Sequence, residues 1–398
     1  MKIHENSACS FVAKLWWESE PRYTKVTSAT LYNNCPTILF WLDDAYCVYT
    51  DNNNISNSNT EVRFGRCDLG TRSITEIADL GPLYKVEDDD AYSTDCYKLY
   101  SSSFLLFDNH PNWTVVYLCV VADGNLIKTD VTATIDDKFY YGTSSNYNRP
   151  TYESFGELIT VFGSTTKLST SANPSDIFVI RKTSNTTIEL TDHMRYSQSY
   201  DGIGTLSNDG SLGVSAAYGY GNRNYYYAVA MLTNFNKSSL GRTHLKLDEF
   251  SRNGQPIIMN SPAWLTDSLV AIPVNNLDSG NGYVHGYIMI IETSGLAITK
   301  QYDIASSDDP HSYTPYNGLS TKYTTYKSVV SIDDLGNGNC IYVSEDTIGF
   351  LNRSDGNILT SSNITCSGVR AWTSMNHIEY NNGYYICLGP NWVYITCS

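Results

Sequence analysis

One short pattern constrains the fold of this chain more than any other: a tight turn followed by an alternating strand, returning six times with related residues. Ala122-Asp123-Gly124-Asn125-Leu126-Ile127-Lys128-Thr129 reappears nearly intact as Ser354-Asp355-Gly356-Asn357-Ile358-Leu359-Thr360-Ser361, each behind an apolar run. Asp-Gly and Gly-Asn steps accept the positive φ angles of a hairpin turn. Looser versions begin at Asp68, Thr183, Ser239 and Thr293, so that successive turns start 54 to 61 residues apart. A unit of that length holds four strands of five or six residues with their connections. One such sheet cannot hide its own apolar faces, and repetition supplies the neighbour that does.

The strand runs themselves are β-branched and aromatic, as in Thr37–Leu42, Thr114–Val121, Tyr225–Leu232 and Tyr287–Ile291, and Gly, Asn, Asp and Ser bound them. No segment keeps a 3.6-residue apolar period over a helical length, which disfavours an α/β alternation. After the sixth turn, His377–Tyr380, Tyr384–Leu388 and Trp392–Thr396 supply three strands, and the repeat stops one strand short. The expected fold class is all-β: a β-propeller of seven four-stranded blades, with an N-terminal strand completing the C-terminal blade. Sharing a sheet between the two chain ends closes a ring and removes open strand edges. Ser10–Trp16 is the strand expected there. The blades then fall at 28–85, 95–138, 150–196, 200–252, 260–305, 320–372, and 373–398 plus 8–18, all within one domain spanning 1–398. Six or eight blades stay open, as does a pair of β-sandwiches, which use the same hairpin chemistry.

The repeated hairpin and the split terminal blade resemble the β-propeller superfamily over most of the chain. The Gly-His and Trp-Asp signatures of WD40 repeats and the paired glycines of kelch repeats are absent. Ser207-Asn208-Asp209-Gly210-Ser211 shares only the beginning of a sialidase-type Ser-x-Asp-x-Gly-x-x-Trp box. A Tyr-, Asn-, Ser- and Gly-rich acidic chain is similar in composition to phage tail and other virion β-proteins.

A formal charge of −15 argues against nucleic acid as a partner, because phosphate binding needs Lys and Arg to displace counterions. It argues equally against an anionic membrane, and no run of about 20 apolar residues is present for insertion. Met1–Ala8 lacks the apolar stretch of a secretory signal, so the expectation is a chain that is cytoplasmic as made and, on the virion reading, later incorporated into a particle. Ten cysteines contain no Cys-x-x-Cys pair, which leaves zinc and dithiol redox spacings without support. They are expected as reduced, buried thiols, with a Cys9–Cys397 bridge as the alternative. Six Asn-x-Ser/Thr sequons, at Asn54, Asn112, Asn185, Asn236, Asn352 and Asn363, read as turn chemistry.

Candidate ligand-binding residues are aromatic and lie where connections are expected: Tyr140, Tyr141, Tyr147, Arg149 and Tyr152; Tyr218, Tyr220 and Arg223; and Tyr313 with Tyr316. Tyr rings stack on the apolar faces of sugars or peptides, while Arg and Asn bind hydroxyls and carbonyls. With 32 tyrosines in the chain, strand packing is the competing explanation for each. Glu87–Asp90 and the pair Asp43-Asp44 lack the alternating spacing of a calcium loop and read as solvated turns. Glu153, Glu157, Asp201 and Asp209 sit near the aromatic segments, where a glycosidase would need two facing carboxylates. No His-x-x-x-His pair, nucleophile elbow or phosphate-binding loop occurs, and no catalytic residue, metal or cofactor is assigned. The leading functional expectation is a non-enzymatic binding or assembly module that engages a surface glycan or a protein partner, as in a virion or phage tail. A glycoside hydrolase or lyase on the same scaffold, and a structural platform in a homo-oligomer or larger assembly, are the alternatives.

Overall fold

The computed structural model describes residues 22–43, 45–50, 60–83, 85–87, 90–99, 102–110, 114–136, 151–155, 158–164, 175–196, 202–206, 212–220, 225–234, 241–251, 258–259, 262–278, 283–295, 297–307, 330–335, 338–344, 346–359, 364–369 and 375–398. Within them the chain folds into seven antiparallel sheets. The first sheet is Thr37–Trp41, Tyr46–Thr50, Glu61–Asp68 and Ser73–Pro82, in that spatial order. The second runs from Lys85–Glu87 and Asp90–Lys98 through Ser103–Asn109 and Thr114–Ala122 to Asn125–Asp130. Thr151–Phe155, Leu158–Ser164, Ser175–Lys182 and Ile188–Tyr196 make the third, and Gly202–Leu206, Leu212–Tyr220, Tyr225–Asn234 and Gly241–Ser251 the fourth. In the fifth, Ile258–Met259 and Ala263–Trp264 both pair with Leu269–Asp278, followed by Tyr283–Glu292 and Ala297–Ser307. The sixth is Ser331–Asp334, Asn339–Ser344, Thr347–Asn352 and Ile364–Thr365.

The seventh sheet closes the molecule. Met375–Tyr380, Gly383–Leu388 and Asn391–Cys397 come from the C-terminus, and the outer place is filled by Val26–Tyr32 from the N-terminal side. The split sheet expected from the sequence is therefore present, but its strand is not Ser10–Trp16. Residues 8–18 lie outside the described residues, and both edges of Asn391–Cys397 are taken, one by Gly383–Leu388 and one by Val26–Tyr32. The physical reason is exposure. An outermost strand has one side toward water, and Val26-Thr27-Ser28-Ala29-Thr30-Leu31-Tyr32 is correspondingly polar, whereas the apolar density of Ser10–Trp16 suits an inner strand.

Neighbouring sheets meet through their first strands. Thr37–Trp41 lies beside Met375–Tyr380, which lies beside Ser331–Asp334, then Ala263–Trp264, Gly202–Leu206, Thr151–Phe155 and Asp90–Lys98 in turn. Asp90–Lys98 also meets Ser73–Pro82 of the first sheet, and the circuit is complete. The last link runs through the outermost strand of the first sheet, the others through inner strands, and seven sheets packed in a closed circuit are a β-propeller.

Middle strands show why their sequences read as unbroken apolar runs. In Ser103–Asn109, Phe104 and Leu106 enter one core shared with the first, sixth and seventh sheets, while Leu105 and Phe107 enter another. In Gly383–Leu388, Tyr384, Ile386 and Leu388 face that same shared core, and Tyr385 and Cys387 face the joint with the first sheet. Successive side chains point to opposite faces, and both faces are buried. Polar latches cross the joints as well. Buried Arg353 donates to the carbonyls of Leu265 at 3.1 Å and Trp264 at 3.0 Å and pairs with Asp334 at 3.1 Å, tying the sixth sheet to the fifth. Lys300 of the fifth sheet donates to the Asp355 carbonyl at 2.5 Å in the turn that carries the repeated Asp-Gly-Asn. Gly356 in that turn has φ +70°, and a Cβ there would stand 2.9 Å from Ile290, so glycine serves both the turn and the close approach.

Candidate ligand recess at the ends of the inner strands

Inner strands of successive sheets bring their ends together, and four of them surround a recess of about 200 Å³. Trp41, Leu42 and Asp43 come from the end of the first sheet's inner strand, and Lys98 is the last residue of Asp90–Lys98. Leu335 follows Ser331–Asp334 in the sixth sheet, and His377, Ile378 and Glu379 lie on Met375–Tyr380 with Tyr384 behind them. His377 and Glu379 are two residues apart and so share a face of their strand.

His377 Nδ1 lies 2.7 Å from Asp333 Oδ2, a hydrogen bond between the inner strands of two neighbouring sheets. Burial disfavours the charged imidazole, but the Asp333 carboxylate, through charge and hydrogen bond, and Asp334 beyond it outweigh burial and hold the His377 pKa above its ordinary value. Lys98 opposes them. The Lys98 ammonium is itself desolvated, which lowers its pKa, while Asp333 and Asp43 pull it back toward the charged form. Asp43 Oδ1 accepts from the backbone N–H of Ala45 at 3.3 Å and Tyr46 at 3.1 Å, which shapes the turn after the inner strand. Glu379 faces Arg22 at 3.4 Å on the exposed side. Tyr384 packs edge-on to His377, with centroids 6.1 Å apart, and burial raises its phenol pKa, followed by the nearby Tyr23 and Glu379.

None of these recess residues was singled out from the sequence as a ligand site, and Asp43 drew attention only as a calcium candidate. Of the aromatic candidates, Tyr140, Tyr141, Tyr147, Arg149, Arg223, Tyr313 and Tyr316 lie outside the described residues. Tyr152 is on Thr151–Phe155, an inner strand, and Tyr218 and Tyr220 are on Leu212–Tyr220, paired opposite Ala228 and Tyr226. These three stand on strands, not in connections. Glu87 and Asp90 pair across two adjacent strands, and Asp88 and Asp89 lie outside the described residues. Glu157, Asp201 and Asp209 are outside the described residues, and Glu153 is on Thr151–Phe155. Nine cysteines are free thiols, and Cys9 lies outside the described residues.

No family model matches the chain, and no curated protein does. Among solved structures, the WD40 domain of SCAP from fission yeast is 8% identical with a TM-score of 0.39, over 96% of this chain and 97% of that one. An oligogalacturonate lyase in complex with manganese is 10% identical with a TM-score of 0.43, over 96% and 98%. The α-L-arabinanase of Penicillium chrysogenum, complexed with arabinobiose, is 12% identical with a TM-score of 0.42, over 79% of this chain and 96% of that one. Likenesses this distant say nothing about activity; the propeller rests on the sheet order and the closed circuit of sheets.

Proposed function

We propose that the protein is a non-enzymatic binding and assembly module of a virion or tail, and that the recess is where it engages a surface glycan or a partner protein. The observation that carries this reading is the engagement of the two carboxylates that line the recess, Asp43 and Glu379, and of Asp333 and Asp334, which precede its lining residue Leu335. Asp333 holds His377, Asp334 holds Arg353, Asp43 shapes its turn and Glu379 faces Arg22. General acid–base hydrolysis needs one carboxyl to give a proton and another to act across the substrate. Here each acid has a part in holding blades or turns together. Apolar walls with a few convergent polar groups are the usual make-up of a binding site.

A glycan array and a polysaccharide turnover assay, run on the same full-length protein, test the proposal. Binding without release of reducing ends is the expected result. A second reading, a glycoside hydrolase or lyase, draws on the two carboxylates that line one recess, Asp43 and Glu379, with Asp333 hydrogen-bonded to His377 of the same lining. Turnover that disappears in Asp43→Asn or Glu379→Gln would establish it in place of the first.

A further inference from the structure

We infer that the recess takes a single neutral sugar ring and discriminates against acidic sugars. The inference rests on the glycan reading of the recess and goes on to the chemical class of the sugar.

Size is the first argument. At about 200 Å³ the recess is smaller than the ~300–1,000 Å³ of sites that enclose drug-sized ligands, so it suits one ring and not an oligosaccharide buried along its length. Charge is the second. The lining carries two groups that can be cationic, Lys98 and His377, against the carboxylates of Asp43 and Glu379, and Asp333 is hydrogen-bonded to His377 at 2.7 Å. Carboxylates therefore outnumber cations at the recess by three to two. An incoming carboxylate or sulfate would lose hydration and approach like charges.

A hydroxyl group meets the opposite situation. It both donates and accepts, and the recess offers both partners at once. Among the lining side chains, Lys98 and His377 are donors. Acceptors are the carboxylate oxygens of Asp43 and Glu379. Leu42, Leu335 and the edge of Trp41 supply apolar wall for the C–H face of a pyranose.

The test is saturation-transfer NMR and calorimetry on the full chain with methyl glycosides of glucose, galactose, mannose and N-acetylglucosamine, set against glucuronate and sialic acid. At least one neutral glycoside is expected to bind, with the acidic sugars about tenfold weaker or worse. Lys98→Met should weaken the neutral ligand about tenfold, and Asp43→Asn should narrow the gap between neutral and acidic sugars. Circular dichroism melts confirm that each variant is folded, and the wild-type selectivity decides the matter if one is not. An acidic sugar that binds more tightly than every neutral one overturns this inference and leaves the glycan reading standing. Binding of neither class, with a protein partner captured through the same recess, overturns both.

Discussion

Trp41 and Trp392 meet edge to face across the joint between the first and closing sheets, with ring centroids 5.8 Å apart and planes at 71°. Trp392 is fully buried and donates its indole N–H to the Pro36 carbonyl at 2.9 Å, while the Asn376 amide donates to the carbonyls of Ile38 and Leu39. The joint that depends on chain closure is thus packed and hydrogen-bonded like the interior of a sheet. Trp392→Ala removes a large side chain that has no room to be replaced, and the expected loss is about 3–5 kcal/mol in urea unfolding. Trp392→Phe keeps the ring contact but orphans the Pro36 carbonyl, and should fall between the two.

The period of the fold was legible because turn chemistry is local. Five of the six turns read from the sequence fall between the penultimate and outermost strands of their sheets, from Asp68 between Glu61–Asp68 and Ser73–Pro82 to the Asp355-Gly356 turn after Thr347–Asn352, and Ser239 and Leu240, where the other begins, lie outside the described residues. Asp123 at φ 50° and Gly124 at φ 78° adopt the left-handed angles their sequence suggested. The recess was not legible, because four sheets contribute to it and each lends only one to four residues. Asp43, Lys98, Asp333 and His377 are joined by the circuit and not by any spacing along the chain. The one signal available was positional: a charged residue at or just past the end of several inner strands. The closing strand was misplaced because apolar density is a guide to inner strands, and this one is outermost.

Arg353 gives a sharper test of the joint between the fifth and sixth sheets. Its guanidinium reaches two backbone carbonyls and one carboxylate in different directions, a fork that an ammonium cannot reproduce. Arg353→Met is expected to cost about 1–3 kcal/mol, since the Leu265 and Trp264 carbonyls lose this buried donor while the Asp334 carboxylate keeps access to water. Arg353→Lys should recover less than half of that. Guanidinium denaturation curves of the three proteins decide between a latch of this geometry and a mere positive charge.

The His377–Asp333 pair makes stability depend on pH with a defined sign. A folded-state histidine pKa above the unfolded value of about 6.5 means that the pair's contribution is complete below that value. It is lost as pH rises through the higher folded-state pKa. Asp334, Lys98, Asp43 and Glu379 also face this region, and Lys98 works against the protonated imidazole. Thermal melts should therefore show wild type losing stability from about pH 6.5 upward more steeply than His377→Gln. In Asp333→Asn the His377 resonance should titrate at lower pH than in wild type.

Burial also sets the chemistry of the thiols. Cys47, Cys340 and Cys387 are fully buried, and desolvation holds their pKa values well above the ordinary range. Cys119 is pushed up to about 12 for the same reason. Thiolate is the reactive form, so these four should resist alkylation by iodoacetamide at pH 8 for as long as the fold holds. They should label together when denaturant opens the ring, and mass spectrometry of the labelled peptides resolves each site. Labelling of Cys387 ahead of global unfolding would show that the closing sheet opens first.

In six of the seven sheets the penultimate and outermost strands are consecutive in sequence, and in the closing sheet they are not. In the closing sheet the penultimate strand is Asn391–Cys397 and the outermost is Val26–Tyr32, so the seventh hairpin would stand where the C-terminus meets Lys25. The backbone is already arranged for it: Thr24 and Lys25 N–H donate to the Ser398 carbonyl at 2.8 and 3.0 Å, and Ser398 N–H donates to Lys25 at 3.0 Å. A circular permutant in which Asp-Gly links Ser398 to Lys25, and which starts at Gly124 and ends at Asp123, moves the cut to the equivalent turn of the second sheet. It omits Tyr23, which exchanges two backbone hydrogen bonds with the Asn339 side chain, and a loss of about 1–3 kcal/mol is expected from that alone. Apart from that loss, the permutant should fold to the same sheet content and unfold in one transition. Aggregation of the permutant, with an uncut control lacking residues 1–24 remaining soluble, would mean that the two joints are not equivalent.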